Sequence, residues 1–396
     1  MSDPALELGL ILAGAVGAQL LAAQLRIPAI VPLLIVGVVL GPYVIGAIDP
    51  DQLLGDLLDP IVALAVGAIL FDGSISLHRQ QLEHGVGGVV GRLTTIGVAI
   101  TWGLAGASAM LLLGVDHRIA IILGAVLTLS GPTVVLPLLE FVRPTPRPDA
   151  VLRWEGILID PVGAILAVLA YHAVVSGDGV FDPGEFLTTV GVGAALGVVG
   201  AFVLSFILRE RRFDPALETS ATLAVVLIAV AGASALREDA GLVTAIVMGV
   251  VLAHRQVELL ARAPAFGEIL VSLLLGVLFV ILAARVDPEA VVDLGLGGLA
   301  FVAVLVLIAR PLSVAVSTAR SHLSRAEKGL IAWMMPRGIV AAATVSAFEK
   351  GLISAGIPDA DVLVPATFLV IAATVVIYGL TARPVAVRLG VAEQGP

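Results

Sequence analysis

Cysteine is absent from this chain of 396 residues, so neither a disulfide framework nor a thiolate metal centre can form, and cysteine usage carries no information on redox compartment. Charged residues are scarce, at 13%, and aromatic residues make up only 5%. With 59% hydrophobic residues and a mean hydropathy of +1.09, the balance is too apolar for a soluble domain. Alternating apolar and polar residues in strands of about 10 residues, the pattern of an outer-membrane barrel, are also missing. The N-terminus lacks a basic region followed by a cleavage site, so the first apolar segment is expected to be retained. The tail after Leu389 is only Gly-Val-Ala-Glu-Gln-Gly-Pro, so no soluble regulatory domain is expected within this sequence. The net charge is −9, and no nucleic-acid partner and no cofactor are expected.

Long apolar windows recur from end to end. Each is near the roughly 20 residues that cross a ~30 Å hydrocarbon core. Thirteen can be drawn, at 5–25, 28–46, 57–74, 86–113, 118–143, 149–175, 185–208, 215–236, 241–253, 264–284, 290–318, 327–350 and 361–387. They predict an all-α integral membrane protein in a lipid bilayer. Most of the 43 glycines then serve close helix packing, because shape rather than hydrophobicity drives association inside lipid.

Loop charges orient the bundle by the positive-inside rule. Odd connections and the C-terminal tail carry Arg26, Arg79, Arg143, Arg147, Arg153, Arg209, Arg211, Arg212, Arg255, Arg262, Arg320, Arg325, Lys328, Arg383 and Arg388, against Arg118, Arg237, Arg285 and Lys350 in the even ones. The N-terminus is therefore expected outside and the C-terminus in the cytoplasm, in a multi-pass protein of the plasma or inner membrane. The outer loops are acidic, with Asp49, Asp51, Asp56, Asp178, Asp182, Glu238, Asp239, Asp287, Glu289, Asp359 and Asp361. That surface either attracts cations or serves solubility.

Three places break the apolar pattern. In segment five, Thr128-Leu-Ser-Gly-Pro-Thr133 combines hydroxyl oxygens with a proline that cannot donate to the Thr128 carbonyl. The outcome is an interrupted helix or a packed proline kink. Freed carbonyls at membrane depth are tolerated when buried in protein or lining a wet cavity, where half-helix ends offer partial charges to ions. In segment six, Asp160 lies 11 residues beyond Asp149, about 16 Å along a helix and so near mid-membrane. An ionisable group there is a functional-site candidate, and Pro161 frees the Ile157 carbonyl beside it. Oxygen ligands suit a hard monovalent cation; the alternative is a protonated aspartic acid bonded to a neighbouring helix. In segment twelve, Trp333-Met-Met-Pro-Arg-Gly338 predicts a second interruption. Glu155, about 140° around the helix from Asp160, needs a buried partner, and Arg337 is the expected one, joining the two broken regions. Arg310 sits in another apolar run. It holds half-helix C-terminal ends, tunes the aspartate electrostatically, or snorkels.

These motifs in this order resemble the monovalent cation/proton antiporter superfamily, on the thirteen-span sodium/proton exchanger branch, over nearly the whole length. The resemblance rests on Pro28-Ala-Ile-Val-Pro-Leu-Leu-Ile-Val-Gly37, Ile69-Leu-Phe-Asp-Gly-Ser74, Ser130-Gly-Pro132, Glu155-Gly-Ile-Leu-Ile-Asp160, Arg310 and Trp333-Met-Met-Pro-Arg-Gly338. It implies two inverted repeats with segments five and twelve broken and crossing. It also implies a homodimer with interface helices in 1–85 and 214–289, core helices in 86–176 and 290–390, and a linking helix in 177–213. Two departures stand out. Members commonly carry Thr or Ser followed by Asp-Pro where this chain reads Ser130-Gly131-Pro132, and Asn-Asp or Asp-Asp where it reads Ile159-Asp160. The expected ligand set therefore shifts to Asp160, Thr128, Ser130 and backbone carbonyls.

The activity so read is exchange of Na+ or K+ for H+ by alternating access, without enzymatic chemistry. Burial disfavours the ionised Asp160 carboxylate and a bound cation favours it, so the two ions exclude one another. One site carrying one ion of either kind gives electroneutral exchange. A cation channel could use the same broken helices. An intramembrane aspartyl protease needs two nearby carboxylates, and Asp72 is the only other candidate near a span.

Overall fold

The computed structural model describes residues 3–25, 27, 29–75, 86–175, 183–208, 214–237, 240–255 and 264–393. Of the residues used above, Arg26, Pro28, Arg79, Asp178, Asp182, Arg209, Arg211, Arg212, Glu238, Asp239 and Arg262 lie outside them.

Helices occupy each apolar stretch. They are α1 (Pro4–Leu25), α2 (Ile30–Leu40), α3 (Leu58–Ile75), α4 (Gly87–Leu113), α5 (His117–Val126), α6 (Pro132–Val142), α7 (Pro146–Val175), α8 (Pro183–Leu208), α9 (Pro215–Leu236), α10 (Ala240–Arg255), α11 (Pro264–Ala284), α12 (Gly295–Ser317), α13 (Arg325–Trp333), α14 (Ile339–Ser354) and α15 (Leu363–Arg388). The fifth and twelfth stretches are each divided in two, as α5 with α6 and α13 with α14. Prolines account for much of this punctuation. Pro132, Pro146, Pro183, Pro215 and Pro264 each open a helix, where the missing N–H costs nothing. Among the described residues, seven helices are long and apolar enough to cross a membrane, on α1, α4, α7, α8, α9, α12 and α15. Helices α2 and α5 and the apolar parts of α10 and α11 are shorter.

Small residues let helices touch, as their composition suggests. At Gly193 and Gly197 of α8 a Cβ would stand 2.7 Å from the Ala240 carbonyl and 2.8 Å from the Thr244 carbonyl of α10, and the Thr244 hydroxyl donates to the Gly193 carbonyl at 3.0 Å. Such backbone contact replaces the hydrophobic drive that lipid removes.

Long helices α4 and α12 carry π turns, at Leu93–Gly97 and Ala109–Leu113 in the first and Leu305–Ala309 in the second. The Leu93–Gly97 turn packs against Arg310–Ser317. There the Arg92 Nε donates to the Ser317 carbonyl at 2.6 Å and the Ser317 hydroxyl returns a bond to the Arg92 carbonyl. A π turn shifts the phase of the helix beyond it, and the Leu305–Ala309 turn stands immediately before Arg310.

The ends of the bundle are tied by polar contacts. Among the described residues no sheet forms, but Pro144 and Ala392 make an antiparallel bridge flanked by Thr145 N–H to the Val391 carbonyl and Glu393 N–H to the Arg143 carbonyl, both 2.8 Å. On the opposite side, Asp51 accepts from Arg285 at 2.9 Å and from Lys350 at 3.3 Å. Partial burial alone would raise its carboxyl, but the charges and hydrogen bonds of Arg285 and Lys350 outweigh it and hold the carboxyl below its ordinary 3.8. A carboxyl lowered in the folded state stabilises above its unfolded value, and that contribution disappears as pH falls through the lowered one. Thermal unfolding in detergent should therefore show a cost of Asp51→Asn at pH 7 that shrinks as pH falls below the ordinary carboxyl value of 3.8.

Candidate functional site

Helix α5 ends at Val126 in a tight turn, where the Thr128 and Leu129 N–H groups donate to the Ala125 and Val126 carbonyls at 3.0 Å; the chain is extended at Gly131, and Pro132, which cannot donate back to the Thr128 carbonyl, opens α6. Helix α13 stops at Trp333 and the chain restarts at Ile339, with Pro336 and Gly338 between. Each interruption leaves carbonyls at one half-helix end and amide groups at the other. Buried away from water, these groups require partners.

The two interruptions bond to each other. The Ser130 hydroxyl donates to the Pro336 carbonyl at 3.0 Å, and the Arg337 Nη1 donates to the Leu129 carbonyl at 3.2 Å. The Arg337 backbone N–H reaches the Thr374 hydroxyl of α15 at 3.3 Å. Removing one such bond should cost about 0.5–1.5 kcal/mol, so Ser130→Ala is expected to lower the melting temperature slightly without unfolding the protein.

Buried arginines serve both negative half-helix ends. Arg337 holds the end of α5 through Leu129, while Arg310 holds the last turn of α13, its Nε donating to the Ile331 carbonyl at 3.0 Å. Cations are favoured where unpaired carbonyls and the helix dipole converge. Of the roles open to Arg310 in the sequence, the structure shows the half-helix end; at 1% exposure it does not snorkel.

The expected pairing of Glu155 with Arg337 is not formed. Glu155 is gripped instead by Arg310, with Nη1 to Oε1 at 2.5 Å and Nη2 to Oε2 at 2.8 Å. The physical reason is geometric. Arg337 lies in the extended stretch between α13 and α14 and is committed to Leu129, whereas Arg310 on α12 presents a planar fork that matches a carboxylate two-pronged. Among the described residues no carboxylate lies within ion-pair distance of Arg337.

Asp160 differs from every other buried acid in this region. It is 1% exposed, and among the described residues neither carboxylate oxygen has a hydrogen-bond partner. The side of α7 that Asp160 shares with Gly156 and Gly163 meets segment five. One turn earlier, a Cβ on Gly156 would come 3.2 Å from the Val135 side chain; three residues later, one on Gly163 would come 2.9 Å from both Thr128 Oγ1 and Leu129 Cγ. Residues three and four apart share a helix face, so Asp160 is aimed between 128–129 and 135. Its neighbour Ile159 packs with Val98 and Met335, which brings the segment-twelve interruption alongside.

Thr128 is fully buried and its hydroxyl donates to the Ala125 carbonyl at 2.7 Å, so its oxygen has lone pairs to offer as an acceptor. Asp160, Thr128 and Ser130 thus lie around one junction, and Glu155, Arg310 and Arg337 brace it. Sequence reasoning missed Gly156 and Gly163, whose spacing of i−4 and i+3 about Asp160 was the available signal. Asp72 has a contact of its own and is half-buried in α3. Among the described residues no group of three or more His, Cys, Asp or Glu converges. The junction offers one carboxylate with hydroxyl and carbonyl oxygens, a set suited to a hard cation carried as cargo.

An all-helical membrane protein whose two interrupted helices bond to each other near a buried acid without a hydrogen-bond partner among the described residues has the architecture on which broken-helix ion carriers are built. The chain belongs to the sodium/hydrogen exchanger (transmembrane) family, whose profile matches residues 9–388. It is 25% identical over 397 residues to the K(+)/H(+) antiporter NhaP of Alkalimonas amylolytica, covering 96% of this chain and 66% of that protein. With the K(+)/H(+) antiporter NhaP2 of Shewanella oneidensis the identity is 26%, covering 95% and 65%. The chain thus spans just under two thirds of the length of these relatives. The fold is similar to that of the sodium proton antiporter MjNhaP1 from Methanocaldococcus jannaschii at pH 8, with a TM-score of 0.82, 22% identity, and coverage of 96% and 97%.

Proposed function

We propose that this protein is a secondary antiporter exchanging a monovalent cation, Na+ or K+, for H+ across the membrane, with Asp160 as the shared carrier. The observation that carries the reading is the pair of Asp160 oxygens, buried and without a hydrogen-bond partner among the described residues, at a junction of interrupted helices. A permanently protonated structural acid would be hydrogen-bonded. Family membership and the antiport activity of the named relatives support the same class.

Three features of the site supply the mechanism. Burial penalises the ionised carboxylate and a bound cation relieves that penalty, so proton and cation compete for one position. Thr128, Ser130 and carbonyls at the half-helix ends supply neutral oxygens. An empty, ionised carboxylate is costly to move through an apolar barrier, so only the loaded forms cross, by alternating access between interface helices in 1–85 and 214–289 and core helices in 86–176 and 290–390. Thirteen crossings in two inverted repeats, a cytoplasmic C-terminus, a homodimer and the plasma or inner membrane complete the reading.

One cation against one proton makes exchange electroneutral. In proteoliposomes, cation-driven pH change should keep the same rate when a potassium-independent membrane potential of either sign is imposed. A rate that tracks the potential contradicts the one-for-one stoichiometry, and single-channel currents contradict a carrier.

A further inference from the structure

Asp160 and Gly163 lie on one face of α7, and Gly163 is the point where that face touches the interrupted stretch of segment five. A Cβ there would stand 2.9 Å from Thr128 Oγ1, 2.9 Å from Leu129 Cγ and 3.0 Å from Leu129 Cδ1. These atoms have little freedom to retreat. Thr128 is branched at Cβ and stiff in χ1, and its hydroxyl is committed to the Ala125 carbonyl. Leu129 is fully buried, and its carbonyl holds the Arg337 guanidinium. At Gly156 the corresponding contact is looser, at 3.2 to 3.4 Å from Val135 side-chain atoms.

Resting on the antiport reading above, we propose that Gly163 determines cation selectivity by fixing the separation between Asp160 and the Thr128 oxygen. Glycine lets α7 lie directly on Thr128 and Leu129, which sets the smallest gap the two oxygen donors can span. Any side chain at 163 forces α7 to stand away from the interruption, carrying Asp160 with it. The gap widens, and the site changes toward a larger monovalent cation at the expense of a smaller one. A role in helix packing alone would change stability and the rates for all cations together; a spacing role changes their ratio.

The test is Gly163→Ala in proteoliposomes, with apparent KM measured for Li+, Na+, K+ and Rb+. The KM of the smaller cations relative to the larger is expected to rise by about tenfold, the scale of a methyl-sized change in a pocket, with a smaller rise for Gly156→Ala. An unchanged ratio, or a parallel loss for all four cations, overturns the inference. If Gly163→Ala does not fold, the same alanine is read in a Leu129→Ala background, where the contact with Thr128 persists. The ratio must then exceed that of Leu129→Ala alone, and equality overturns the inference. Absence of any cation-for-proton exchange in the unmodified protein would instead refute the functional reading itself.

Discussion

Asp160→Asn is expected to reduce cation-driven proton movement in proteoliposomes to the background of empty vesicles, while the protein stays folded. Asparagine keeps the shape of the side chain but cannot ionise, so it can neither release a proton nor neutralise a cation. Stability should move the other way or not at all. A buried carboxylate without partners is a burden on the folded state, and functional sites are where such local violations persist. A melting temperature equal to or above that of the unmodified protein, together with lost exchange, separates a carrier from a structural acid. Exchange that survives the substitution removes Asp160 from the mechanism.

The second large effect concerns the buried pair Glu155–Arg310. Breaking such a pair leaves an uncompensated charge, at a cost of about 3–5 kcal/mol. Glu155→Gln and Arg310→Ala should each lower stability on that scale. Arg310→Ala also abandons the Ile331 carbonyl at the end of α13 and should cost the more. Because the two side chains share two hydrogen bonds, the double variant should lose less than the sum, with a coupling of roughly 0.5–3 kcal/mol. Glu155→Gln with Arg337→Ala should be closer to additive. The opposite ranking, with strong coupling to Arg337 and none to Arg310, contradicts the observed pairing.

These residues also show what the sequence discloses. Asp160 was legible because a charge inside an apolar run stands out against a steep energetic background. Both interruptions were legible because proline cannot donate and glycine does not hold a helix. Segment limits came from the same contrast; Pro215–Leu236 matches the apolar stretch 215–236, whereas α2, at Ile30–Leu40, is shorter than the window 28–46.

Partner choice was not legible. Arg310 and Arg337 are both buried cations in apolar surroundings, and nothing in their spacing says which faces Glu155 across three helices. The outcome depends on a π turn immediately ahead of Arg310 and on the extended path around Arg337, and neither leaves a pattern in hydropathy. The close approach at Gly156 and Gly163 was hidden for a related reason. In a chain this rich in glycine, single positions carry meaning only once the opposing surface, here Val135, Leu129 and Thr128, is in place.

Competition at one carboxylate is the central claim, and its most direct test is the pH dependence of apparent cation affinity in proteoliposomes. Proton and cation sharing Asp160 predict an apparent KM for Na+ or K+ that rises steadily as pH falls, approaching about tenfold per pH unit once the proton dominates, with the rate at saturating cation unchanged. An apparent KM independent of pH, with only the maximal rate varying, would show separate sites for the two ions and contradict the account.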